Sequence, residues 1–297
     1  EILVYLSSLM ASPNDRIVSV ALDTVGILLE CYPCYRERFM DEKDGWECRR
    51  RRFLGMLLNG LANYRETVSQ EALLVIGQTV FGSKRLTCSE KNEIFSLCFR
   101  KLLFLLNENK GDELTAFYRA AALSNICRFI TEYRLTEGDF TIGERNAVAF
   151  FPGTFDPFTL SHKEIVREIR NMGYEVYLAV DEFSWSKKAQ PHLIRRQIVN
   201  MSVADEFHVN LFPDDIPVNI ANPADLKRLK EVFAGREVYI VAGSDVIANA
   251  SSYKKEPCEN SIHSMNHIAF RRVGDVRSDN RFNRKMMESI TGKVYEL

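Results

Sequence analysis

The apolar positions of this chain change their rhythm near its midpoint. Up to about residue 143 they recur at helical spacing. Ile17, Val18, Ala21, Leu22, Val25, Leu28 and Leu29 form one stripe, and Ile94, Leu97, Cys98, Leu102 and Leu105 form another. Thr87-Cys-Ser-Glu90 has capping-box spacing just before the second stripe and predicts a helix start near Cys88. No alternating strand pattern competes. Beyond 143 short apolar runs predict strands over 147–151, 176–180, 207–211, 238–241 and 267–270. Helical patterns fall between them over 161–172, 194–203 and 224–233. Such alternation implies a parallel sheet with helices on both faces. The polar, two-glycine segment 131–145 separates the two grammars, giving an α-helical domain over 1–143 and an α/β domain over 144–297.

The helical half carries a weak internal repeat. Ala21-Leu22-x-x-Val25-Gly26 recurs as Ala72-Leu73-x-x-Ile76-Gly77 and again as Ala122-Leu123-x-x-Ile126-Cys127. Small residues on one face let helices approach closely, and the aliphatic residues fill the seam. The pattern resembles stacked helix pairs of the HEAT or armadillo kind; a non-repeating bundle with Ala and Leu in its seams is the other reading. A stack of this kind implies a surface for a protein partner or for a neighbouring domain.

Charge changes the picture little. The 39 Lys and Arg against 40 Asp and Glu leave a formal charge of −1, which argues against a broad grip on nucleic acid or acidic membrane. The acidic run from Asp41 into Arg49–Arg52 reads as a solvated loop and helix start with compensating charges. No uninterrupted apolar run approaches the ~18–20 residues of a membrane span. Seven cysteines without regular spacing, including the lone Cys31-Tyr-Pro-Cys34, read as reduced thiols of a cytoplasmic protein. The start at Glu1-Ile2-Leu3 lacks a signal-peptide pattern, and the end over 293–297 reads as a strand cut short, as if excised from a longer protein.

Candidate chemistry concentrates in Phe151-Pro-Gly-Thr-Phe-Asp-Pro-Phe-Thr-Leu-Ser-His162, which joins the first expected strand to the first helix of the second half. Gly153 allows a ligand or a tight turn close to the strand end. His162 falls in the first helical turn, where free N–H groups favour phosphate. It reads there either as a hydrogen-bond donor to a phosphoryl oxygen or as a cap or surface residue.

Gly153-Thr-Phe-Asp-Pro157 followed by Thr159-Leu-Ser-His162 resembles the (H/T)xGH nucleotidylyltransferase superfamily, over about residues 146–297. Thr159 stands where many members have a first His, a change also found among phosphopantetheine adenylyltransferases. Ser161 stands where Gly is usual. Downstream, Ser186-Lys187-Lys188, Arg195-Arg196, Val241-Ala-Gly-Ser-Asp245, Tyr253 and His267-Ile-Ala-Phe-Arg271-Arg272 follow in an order similar to nicotinate or nicotinamide mononucleotide adenylyltransferases. The resemblance implies a Rossmann-like nucleotidylyltransferase domain behind the helical repeat.

The implied reaction is adenylyl transfer from ATP to a pyridine mononucleotide, giving the dinucleotide and pyrophosphate. By resemblance His162, Thr159 and Lys187 are catalytic candidates. Gly153, Thr154, Phe155, Asp156, His162, Gly243 and Asp245 would bind nucleotide. Lys188, Arg196, Tyr253 and Arg271 would bind the second substrate, with Tyr253 against its ring. Mg²⁺ would be held by the phosphates, and no protein-held metal is expected. Lys187 and Lys188 read equally as solvated loop charges, Gly243 as a turn residue, Asp245 as a helix cap, and Arg271 with Arg272 as a surface pair. Cytidylyl transfer, phosphopantetheine adenylyl transfer, and a scaffold with a nucleotide-sensing domain stay open. The superfamily's later Ser/Thr-rich triphosphate signature commonly follows a last strand. Ser278-Asp-Asn-Arg281 has a similar pattern but precedes the strand-like end, so it does not qualify.

Overall fold

The computed structural model describes residues 2–39, 45–107, 111–140, 143–181, 189–270 and 288–296. The chain forms two compact units, Glu1–Gly143 with Ala204–Phe207, and Glu144–Val203 with His208–Leu297.

The first unit is helical: α1 (Ile2–Met10), α2 (Asp15–Cys31), α3 (Gly45–Leu61), α4 (Glu66–Leu74), α5 (Cys88–Asn107) and α6 (Glu113–Thr136). A π-helical stretch, Val75–Phe81, continues α4. The Thr87–Glu90 box closes in both directions: the Thr87 N–H donates to Glu90 Oε2 at 2.8 Å, and the Glu90 N–H to Thr87 Oγ1 at 3.2 Å. That pins the start of α5 at Cys88.

The recurring Ala-Leu-x-x-Val/Ile positions lie on α2, on α4 with its continuation, and on α6. Ala21, Leu22, Val25, Ala72, Leu73, Ile76, Ala122 and Ile126 are all buried. The glycines between them are contact points. A Cβ on Gly26 would lie 2.3 Å from Val75 Cγ1, and one on Gly77 would lie 2.8 Å from the Ala122 Cα. Each helix therefore meets the next where a side chain has been left out.

The arginine run sits inside α3 rather than at its start. Arg50, 7% exposed, pairs with Glu47 one turn earlier and with Glu93 on α5. One helical stretch, 15–37, is long and apolar enough by length and composition to cross a membrane, which the sequence pattern did not suggest. Six residues of α2 within it are buried in the helical unit.

In the second unit β1 (Ala147–Gly153), α7 (Leu160–Asn171), β2 (Glu175–Val180), α8 (His192–Ser202), β3 (Val209–Leu211), α9 (Pro223–Val232), β4 (Glu237–Gly243), α10 (Ser244–Asn249), α11 (Ser251–Lys254), β5 (Asn266–Phe270) and β6 (Val294–Glu296) follow in order. The strands form a parallel sheet in the order β3-β2-β1-β4-β5-β6. Alternate residues of β1 serve opposite faces. Val148 and Phe150 join a core with Leu226, Leu229, Phe233, Ile240 and Ile247. Phe151, on the other face, packs its ring against Phe155 and Phe270.

A buried ion pair ties the amino-terminal end of this sheet. Arg236 Nη2 meets Glu175 Oε2 at 2.5 Å, and Arg236 Nε donates to the Arg145 carbonyl at 2.9 Å. Asn210 Nδ2 donates to the other Glu175 oxygen at 3.1 Å. The carboxylate is thus satisfied by several donors, which is what keeps a charge 2% exposed from being a liability.

Candidate nucleotide site

The strand order reverses between β1 and β4: β2 and β3 lie on one side, β5 and β6 on the other. A crevice forms at the carboxyl ends of strands at such a switch point. The pairing of β1 with β4 runs from Ala147↔Glu237 to Phe150↔Ile240, while β1 continues to Gly153 and β4 to Gly243. Gly153 instead stays paired with Val180 of β2, and Gly243 with Phe270 of β5. The two strand ends therefore turn to opposite neighbours, and the sequence-picked glycines sit at the parting.

Gly153 is needed for a reason other than ligand approach. A Cβ there would lie 2.9 Å from the Phe155 ring. Phe155 itself has φ 45°, the left-handed region that a bulky side chain seldom enters, and is 4% exposed. Its ring meets those of Phe151, Phe158 and His162 at centroid distances of 5.3, 5.5 and 5.4 Å. Phe158 stacks on His162 at 5.4 Å. Three aromatic rings of the loop and strand thus hold the imidazole.

The other constraint on His162 is the helix cap. Thr159 is the N-cap of α7, and the Thr159 N–H donates to His162 Nδ1 at 3.0 Å. The Thr159 hydroxyl lies 2.8 Å from the same nitrogen and accepts from the His162 N–H at 3.4 Å. A nitrogen that accepts a backbone N–H carries no proton, so the neutral ring bears its proton on Nε2 and is a donor there. This corrects the role expected of Thr159. Its hydroxyl is engaged in the cap, so it orients His162 rather than replacing a first His as a phosphate donor.

Behind the loop lies Arg195, which the motif reading named beside Arg196 without a role. Arg195 is 1% exposed. Its Nε donates to the Gln190 carbonyl at 2.8 Å, Nη1 to the Thr154 carbonyl at 2.5 Å and Nη2 to the Asp181 carbonyl at 2.8 Å. The Asp181 N–H returns to the Gly153 carbonyl at 2.9 Å. Asp156, expected to contact nucleotide, accepts the Gln190 N–H at 2.9 Å through Oδ2. Burial pushes the Asp181 carboxyl up from its usual range, and the Arg195 charge opposes that rise.

Arg196 goes elsewhere. One helical step turns it away from Arg195, and its Nη1 meets Asp214 Oδ1 at 2.6 Å and the Phe212 carbonyl at 3.2 Å. Its charge is matched by a carboxylate of this chain, where the sequence pattern had offered it to a second substrate. Tyr253 is also corrected. It is 2% exposed within the sheet's core, and its hydroxyl lies 2.9 Å from His267 Nε2. A ring so enclosed presents no face to a substrate.

Gly243 caps α10, and a Cβ on it would come 2.4 Å from Asp245 Oδ1, so the carboxylate folds back over the glycine. Lys187, Lys188 and Arg271 lie outside the described residues. Among the described residues no three Asp, Glu, His or Cys side chains gather as a metal site.

Residues 150–277 match the model of the cytidylyltransferase-like family. No curated protein matches the sequence. Among solved structures, Plasmodium falciparum nicotinic acid mononucleotide adenylyltransferase complexed with NaAD is similar at 18% identity, over 51% of this chain and 74% of that one, with a TM-score of 0.41. The same enzyme complexed with APC is similar at 18% identity over the same shares, with a TM-score of 0.39.

Proposed function

We propose that the α/β unit, a nucleotidylyltransferase-superfamily domain with the cytidylyltransferase-like match, transfers an adenylyl group from ATP to nicotinate or nicotinamide mononucleotide. The observation that carries the transfer reaction is the locked His162 beside the Gly153–Phe155 turn, at the switch point of the sheet. The pyridine acceptor rests on the order of segments in the sequence, now without Tyr253 as its ring platform. Lys187, Lys188 and Arg271 remain its candidate contacts with phosphate and carboxylate.

In this reading an acceptor phosphate oxygen attacks the α-phosphorus of ATP in line. A new P–O bond forms, the α–β bridging bond breaks, and pyrophosphate leaves. Such chemistry needs alignment and charge stabilisation more than a covalent intermediate. His162 Nε2–H supplies a hydrogen bond that strengthens as charge builds on the phosphoryl oxygens. The Gly153 and Thr154 backbone and the Gly243–Asp245 turn would flank the nucleotide. Mg²⁺ would enter with ATP, held chiefly by its phosphates.

The test is pyrophosphate release by the full chain with ATP or CTP against a panel of nicotinate mononucleotide, nicotinamide mononucleotide, phosphopantetheine and glycerol phosphate. Dinucleotide formation from ATP and a pyridine mononucleotide is expected. Preference for CTP or for a non-pyridine acceptor would replace the substrate assignment, and absence of turnover with every pair would remove the activity.

A further inference from the structure

We infer that Arg195 is a positioning residue that sets the nucleotide loop, and through it the His162 imidazole, by pinning backbone carbonyls from three separate segments. The inference deepens the proposed site and rests on that reading for its kinetic consequence, though not for its geometric one.

A buried guanidinium is costly unless its donors are satisfied. Here they are satisfied by main-chain oxygens of Thr154, Asp181 and Gln190, with the Asp181 charge nearby. Those oxygens belong to the loop after β1, the end of β2 and the lead into α8. No hydrophobic or backbone contact could tie these three points with one side chain, and only a planar fork reaches three acceptors at fixed angles.

The bond to Thr154 has a directional consequence. Across a trans peptide the C=O and the following N–H point opposite ways. Holding the Thr154 carbonyl toward Arg195 therefore turns the Phe155 N–H to the opposite side. Holding the Gly153 carbonyl on the Asp181 N–H does the same for the Thr154 N–H. Two successive amides are thereby oriented by groups buried behind the loop. That peptide plane leads directly into Phe155, whose left-handed φ of 45° sets its ring edge-on to His162. A second tie closes the ring: Gln190 gives its carbonyl to Arg195 and its N–H to Asp156, so the loop is held at Thr154 and again at Asp156. Arg195 thus acts on the reacting groups through Thr154, Phe155 and His162, without touching substrate.

The experiment compares Arg195→Lys with the wild-type full chain by thermal unfolding, pyrophosphate-release kinetics and ¹⁵N spectra of histidine-labelled protein. Lys keeps the charge opposite Asp181, but its donors radiate from one nitrogen and cannot span the three carbonyls that Nε, Nη1 and Nη2 reach. The expected result is a folded protein in which kcat falls at least about tenfold, KM for the nucleotide changes less, and the His162 ring signals shift from their wild-type positions as the Phe155 ring beside it moves. Retained kcat with unchanged His162 signals would overturn the inference. If wild type shows no turnover, the proposed activity fails while the His162 signals still decide the positioning role. If Arg195→Lys does not fold, Asp156→Ala removes the acceptor of the Gln190 N–H at an exposed side chain. Altered His162 signals in that variant support the linkage, and unchanged ones overturn it.

Discussion

Thr159 and His162 hold each other across the first turn of α7: the Thr159 N–H donates to His162 Nδ1 at 3.0 Å, and the His162 N–H donates to Thr159 Oγ1 at 3.4 Å. The cap that starts the helix is thus also the device that chooses the imidazole tautomer. Stacking on Phe158 fixes the ring plane, so both the donor atom and its direction are set before any ligand arrives.

His162→Ala removes that donor, and turnover is expected to fall about 100–1,000-fold, with a smaller change in nucleotide affinity. Steady-state kinetics with titration calorimetry on the same preparations separates the two. Near wild-type turnover at saturating substrate would reduce His162 to a helix-start residue.

Thr159→Val tests the other half of the pair. The hydroxyl is lost, but the backbone N–H that fixes the tautomer remains. The helix should lose about 1 kcal/mol of cap stability, and turnover should fall by less than about tenfold. A loss as large as that of His162→Ala would return Thr159 to the catalytic role its place in the motif suggested.

Gly77→Val probes the seam of the helical unit. The added Cβ would meet the Ala122 backbone at 2.8 Å, which cannot rotate away. Destabilisation of about 1–3 kcal/mol is expected from overpacking, read as a lower unfolding midpoint. Gly143→Ala serves as control, since nothing lies within 4 Å of its added Cβ. Equal midpoints for both variants would mean that the small residues of the repeat do not set helix approach.

These variants also mark what the sequence could disclose. Helix and strand positions follow from burial periodicity, so α5 begins at Cys88 as its capping box requires, and the parallel sheet follows from alternating elements. The Gly-Thr-Phe-Asp-Pro loop and His162 were legible because a strand end, a turn residue and a helix start coincide within a dozen residues. Most partners of Arg195, Arg196 and Tyr253 were not legible, because they lie 14 to 41 residues off in sequence. Arg195 and Arg196 are adjacent and chemically identical, and only the helical phase decides that the first faces Thr154 and the second Asp214. Tyr253 was a ligand platform only by the family resemblance. What places it in the core is the partner fourteen residues on, His267.

That partnership gives a pH dependence with a definite sign. His267 is fully buried; its Nδ1–H donates to the Met265 carbonyl at 2.8 Å, and Nε2 accepts the Tyr253 hydroxyl. Burial pushes the imidazole down from 6.5 to about 4, with the nearby His263 adding to the fall and the Met265 bond opposing it. Between those two values the unfolded chain binds a proton that the folded chain refuses, so stability rises with pH there. The stabilisation is complete above about pH 6.5 and is lost as pH falls toward 4. Going from pH 7 to pH 5 should cost about 2 kcal/mol through this residue alone. The double variant Tyr253→Phe, His267→Leu removes the titrating group without stranding its hydroxyl partner. Any loss from the freed Met265 carbonyl is the same at both pH values and cancels in their difference. Urea unfolding of both proteins at the two pH values should therefore show a difference smaller by about 2 kcal/mol in the variant. An identical pH difference would show that His267 titrates normally and that the Tyr253–His267 contact does not hold the neutral ring.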